Sequence, residues 1–66
     1  MAIVLNGKTF DIGCPITIKN LLESKGINAD RVVVEVNYQI IVKQEWDSFL
    51  IGDDDQVEVL QFVGGG

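Results

Sequence analysis

An α+β fold, a mixed sheet of about four to five strands with one helix packed across one face, is predicted by three observations. Short apolar segments of β-branched or alternating character recur at Ala2–Leu5, Lys8–Ile12, Arg31–Val36, Gln39–Val42 and Val57–Val63. A single segment, Ile18–Lys25, carries its apolar residues at helical spacing instead. The chain has 66 residues, and a domain of that size buries only about 60% of its unfolded surface. All these elements must therefore share one modest core. Residues 1–63 are read as that domain and residues 64–66 as a glycine tail.

The first two segments flank Asn6-Gly7. This dipeptide is the strongest short hairpin signal, because both positions tolerate positive φ. Ile3 and Leu5 alternate on one strand and Phe10 and Ile12 on the other, forming the core face of the hairpin. Thr17 is the N-cap of the helix, and Ile16 before it can pack on Leu21 as a hydrophobic staple. Ile18, Leu21 and Leu22 make one apolar stripe toward a sheet. Gly26 ends the helix in a left-handed cap, with Ile27 placed to meet Leu22. So short a helix draws its stability mainly from packing.

Arg31–Val36 is nearly continuous and β-branched, as expected of a central strand covered on much of both faces. Asn37-Tyr38 is the turn into Gln39–Val42. Lys43–Ile51 reads as an irregular crossover with one helical turn, pinned by Trp46 and Ile51, and Gly52–Gln56 as an acidic turn. Val57–Val63 is the last strand, expected in the middle of the sheet beside the first. A hairpin, a helix, a strand pair, a crossover and a returning strand make up the β-grasp, or ubiquitin-like, arrangement.

Five Lys+Arg stand against ten Asp+Glu, a net charge of −5. Nucleic acid and anionic membranes reward basic patches, so this balance points instead to a basic protein partner. The longest apolar runs are far shorter than the roughly 20 residues of a membrane span. Ala2–Leu5 has no basic region before it, unlike a secretory signal, and a cytoplasmic location is expected. The single Cys14, between Gly13 and Pro15, is read as structural, and no internal disulfide or multi-cysteine metal site is expected. Histidine is absent, so neither a Ser/His nor a Cys/His catalytic pair can be assembled. Asp53-Asp54-Asp55 reads as a solvated turn, and no metal or bound cofactor is expected.

The remaining chemistry lies at the end, Phe62-Val63-Gly64-Gly65-Gly66. A free α-carboxylate is an unreactive anion at neutral pH and becomes an acyl donor only after activation. Gly64 and Gly65 have no side chain to obstruct a narrow channel, and three glycines reach roughly 10 Å beyond Val63. A glycine run is equally compatible with a frayed end or a linker. On the last strand Glu58, Leu60 and Phe62 share one parity. With Glu58 in water, Leu60 and Phe62 lie on the face away from the helix, as a docking patch beside the tail or as scattered surface residues.

Asn6-Gly7, Val34-Glu35-Val36-Asn37, Ile40-Ile41 leading to Glu45-Trp46, Val57-Glu58-Val59 and the closing Gly65-Gly66 together resemble the ThiS family of sulfur carriers in thiamin biosynthesis, along the whole chain. Val42-Lys43-Gln44 replaces the family's usual Pro-Arg-Ser, and Asp54-Asp55 its usual Gly-Asp before the last strand. The resemblance implies a protein co-substrate with no catalytic residue of its own. A ThiF-like (E1-like) adenylyltransferase would use ATP and Mg²⁺ to adenylate the Gly66 carboxylate, with Gly64 and Gly65 threading into its site. Sulfur from a cysteine desulfurase system would then replace AMP to give a thiocarboxylate, and a ThiG-like thiazole synthase would accept it. Three other readings share the fold: a molybdopterin synthase small subunit, a ubiquitin-like modifier, and a plain interaction module whose glycines are incidental.

Overall fold

The computed structural model describes residues 1–62. A five-stranded mixed sheet has the order β2-β1-β7-β4-β5. Strands β1 (Ala2–Leu5) and β2 (Lys8–Asp11) form the first hairpin, with Ile3 opposite Phe10. Asn6 and Gly7 have φ of 49° and 82°, the doubly left-handed pair that a two-residue turn matching strand twist requires. Strands β4 (Val32–Val36) and β5 (Gln39–Ile41) repeat the device through Asn37 and Tyr38, at 51° and 70°. Strand β7 (Gln56–Gln61) lies in the middle, parallel to β1 and antiparallel to β4.

Helix α1 (Ile18–Ser24) crosses one face. Its free N-terminal amides are all engaged: Ile18 donates to the Phe49 carbonyl, Lys19 to that of Trp46, and Asn20 to the Thr17 hydroxyl at 3.1 Å. At the other end Gly26 has φ of 69° and donates to the Glu23 carbonyl, while Ile27 donates to that of Leu22. These two bonds are the Schellman pattern. Lys25 is the C-cap rather than a helical residue.

The core is one cluster of Ile3, Leu5, Ile18, Leu21, Leu22, Val34, Ile51, Val57 and their neighbours, and it includes Trp46. Trp46 donates its indole N–H to the Ile41 carbonyl at 2.9 Å, which satisfies the polar atom of a buried ring. Three details differ from the sequence reading. Strand β4 buries only Val32, Val34 and Val36, while Val33 and Glu35 on the other face are half-covered, because no second layer of described residues overlies that face. The crossover contains a short 3₁₀ turn at Lys43–Glu45 and then strand β6 (Leu50–Ile51), which pairs with β3 (Ile16–Thr17) in a second small sheet. Cys14 is exposed in the turn after β2, outside the core.

The acidic turn is more than a solvated loop. Asp55 accepts from the Gly52 amide at 2.8 Å and from the Asn37 side chain at 3.0 Å, and Asp53 accepts from the Ala2 amide at 3.0 Å. Asp54, with φ of 68°, adopts a left-handed conformation, which Asp tolerates better than most residues. No helix among the described residues is long and apolar enough to cross a membrane.

Candidate functional site: the open sheet face and the end of the last strand

Among the described residues, the face of the sheet opposite α1 carries no covering layer. The register puts Leu60 of β7 opposite Val33 of β4, and Glu58 opposite Glu35. Glu35 in turn faces Ile40 of β5. Leu60 is 49% exposed and Ile40 65%, so this face offers contiguous apolar surface to solvent. Leu60 is thus on the face the strand parity predicted for it.

Phe62, 51% exposed, follows the end of β7, and its amide extends the ladder by donating to the Arg31 carbonyl at 2.9 Å. It lines a groove of about 290 Å³ at the end of the sheet. Val32, Val33, Ile40, Val42 and Trp46 share that groove. Its rim carries Lys43 and Asp30, which form a hydrogen-bonded ion pair. The Lys43 ammonium holds the Asp30 carboxyl below its ordinary range, first through the hydrogen bond and then through its charge. Phe62 thus lines the same groove as Val33 and Ile40 of the open face.

The 3₁₀ turn Ala29–Arg31 that Phe62 bonds is itself capped, since the Asn28 side chain accepts from the Asp30 amide at 2.9 Å. The remaining predicted site residues, Gly64, Gly65 and Gly66, lie outside the described residues, as does Val63. Sequence reasoning overlooked Ile40. The signal existed: a two-residue turn at Asn37-Tyr38 forces Glu35 opposite Ile40 and sets both on one face.

The site holds no nucleophile–base pair among the described residues. What it offers is a surface for contact, adjoining the point where the chain leaves the sheet.

Residues 3–66 match the profile of the ThiS family. The sulfur carrier protein ThiS of Bacillus subtilis is 39% identical, over 94% of this chain and 96% of that one. A thiazole synthase of Paramagnetospirillum magneticum is 32% identical over all of this chain, which spans only 20% of that protein's length. A crystal structure of the thiamine biosynthesis protein ThiS from Geobacter metallireducens superposes with a TM-score of 0.88 at 30% identity, covering 100% of both chains. The chain belongs to the ThiS family of small β-grasp sulfur carrier proteins, which are carriers and not catalysts.

Proposed function

We propose that this chain carries sulfur for thiazole formation in thiamin biosynthesis, as a thiocarboxylate at Gly66. A family match that runs through the whole glycine ending carries this reading. The carrier role asks little of the domain beyond presentation, since the catalytic groups belong to its partners. An E1-like adenylyltransferase, with its own ATP and Mg²⁺, joins the Gly66 carboxylate to the α-phosphate and releases pyrophosphate. That step supplies the leaving group a bare carboxylate lacks. The terminal sulfur of a persulfide from a cysteine desulfurase system displaces AMP to give an acyl disulfide, a thiol then cleaves the S–S bond and is itself oxidised to a disulfide, and thiazole synthase takes the sulfur from the thiocarboxylate left on Gly66. The thiazole synthase names among the relatives support that last partner. All of this takes place in the cytoplasm.

Leu60 and Phe62 contribute the docking contact. Both are half exposed, and both lie within the last residues before the tail, so a partner that grips them has the tail within reach.

ATP–pyrophosphate exchange with the partner adenylyltransferase tests the reading. One residue added after Gly66 abolishes exchange, because the carboxylate no longer meets the nucleotide in register. Gly65→Val impairs it, through a β-branched side chain and lost access to positive φ. Thermal melts of both variants match the wild type. In protein isolated from its native host, mass spectrometry finds one sulfur in place of one oxygen on the last glycine. Wild-type exchange rates in both variants would show that the glycine end is not the reacting end.

A further inference from the structure

Glu35 and Glu58 oppose each other directly across β4 and β7, on the open face. Cβ atoms at such positions stand about 4.5–5.5 Å apart, and like charges there destabilise the strand pair. Among the described residues neither carboxylate takes part in an ion pair. Lys19 pairs with Asp47, Lys43 pairs with Asp30, and Lys25 sits 3.6 Å over the Phe10 ring. Lys8 and Arg31 complete the five cations, and neither forms an ion pair with the two glutamates. The carboxylates have apolar neighbours on three sides: Val33 precedes Glu35 on its face, Ile40 lies across from it, and Leu60 follows Glu58, while the amide of Gln56 precedes Glu58.

A like-charged pair that the described residues leave without a cation, set beside apolar surface, describes half of an interface. We propose that the open face docks a basic protein surface that places an arginine between Glu35 and Glu58 and apolar side chains over Leu60 and Ile40. A guanidinium presents five N–H donors in a rigid planar fork, so one group can serve two adjacent carboxylates, and it is more weakly hydrated than an ammonium. The apolar frame excludes water from the contact and strengthens it. A divalent cation fits less well. Calcium takes 6–8 oxygen ligands, whereas beside this pair the same face offers Val33, Ile40, Leu60 and a single amide, Gln56, whose side-chain oxygen already accepts from the Tyr38 hydroxyl. The net charge of −5 adds long-range attraction toward such a basic surface. This inference rests on the reading that the open face meets the adenylyltransferase, and adds the chemistry of the surface that receives it.

The test is a calorimetric titration of the full chain with the partner adenylyltransferase. It is run at roughly 50 mM and roughly 300 mM salt, either side of the concentration where the Debye length is about 10 Å. Glu35→Gln and Glu58→Gln each weaken binding about tenfold at the lower salt, and the two losses are not additive because both act on one guanidinium. Both variants bind with a flatter salt dependence than the wild type. Both melt at or above the wild-type temperature, since the repulsion is relieved. Affinities within twofold of wild type, with unchanged salt dependence, would overturn the inference while a wild-type chain active in pyrophosphate exchange leaves the proposed function standing. A wild-type chain that neither binds nor supports exchange overturns both. A melting temperature raised by Ca²⁺ in the wild type and not in Glu35→Gln would assign the pair to a metal and overturn the inference as well.

Discussion

Leu22→Ala is the sharpest test of the helix-on-sheet core. Leu22 is 1% exposed and lies in the central cluster, on a helix of only 7 residues that would not persist without packing. The substitution removes about three methylene equivalents, roughly 2.4 kcal/mol of transfer free energy at about 0.8 kcal/mol each. The cavity adds to that, so the expected loss is about 3–4 kcal/mol, inside the observed range of about 2–5 for buried Leu→Ala changes. A small domain near the low end of ordinary stability has about 5 kcal/mol in all. The variant is left with about 1–2 kcal/mol, and its melting temperature falls by at least 12 °C, at about 4–8 °C per kcal/mol for this size. Urea unfolding read by Trp46 fluorescence measures the loss directly, provided the slope m is unchanged. Leu50→Ala supplies the control: it removes the same atoms from β6, where the side chain is 60% exposed, and costs less than about 0.5 kcal/mol. A loss below about 1 kcal/mol in Leu22→Ala, or equal losses in the two variants, would refute the packing described here.

Leu60→Glu and Phe62→Glu keep the fold and weaken binding to the adenylyltransferase, because a charge costs little in water and several kcal/mol when desolvated; normal titrations with both would move the docking face elsewhere. Asp54→Gly raises stability by about 0.5–1 kcal/mol, since its φ of 68° costs a side-chain-bearing residue more than glycine; an unchanged urea midpoint would show the turn is unstrained. Acid weakens the fold below about pH 4: Asp30, held low by Lys43, and Asp11, held low by the Gly13 amide and the N-terminal ammonium, lend stability above the unfolded carboxylate value that is lost as pH falls through the folded one. The effect is small because both groups are on the surface, and Asp30→Asn flattens that part of the pH–stability curve.

Both hairpins and the helix were legible in the sequence, for local reasons. Asn6-Gly7 and Asn37-Tyr38 mark two-residue turns, and Thr17 and Gly26 mark the helix ends within their own turn of chain. The small sheet of β3 and β6 was not legible. Two-residue strands have no period to read, and Ile16 pairs with Ile51 across most of the chain. The same limit applied to the site. The glycine ending and Leu60 follow from one strand's pattern, whereas the opposition of Glu35 and Glu58 depends on the register between β4 and β7. The groove beside Phe62 was not legible for a related reason, since it is built by residues 29–46 and leaves no trace in the strand's own alternation.

The last strand is held unevenly, and the unevenness bears on how the tail is presented. Its first part is flanked on both sides, by β1 at Gln56 and Val57 and by β4 along its length. Beyond Val57 the parallel pairing with β1 ends, because β1 has turned away at Asn6. The Asn6 side chain takes over there, accepting from the Val59 amide at 2.8 Å. One residue thus supplies both the left-handed turn of the hairpin and the last lateral tie on that side of β7. From there outward the strand depends on β4 alone, through Val32 opposite Gln61 and the Phe62 amide on the Arg31 carbonyl. The root of the glycine tail is therefore set by the turn at residues 29–31 and its Asn28 cap, and not by the sheet's most heavily paired region. The buried half of β7 fixes the fold, and the half that leads to the tail stays accessible along one edge.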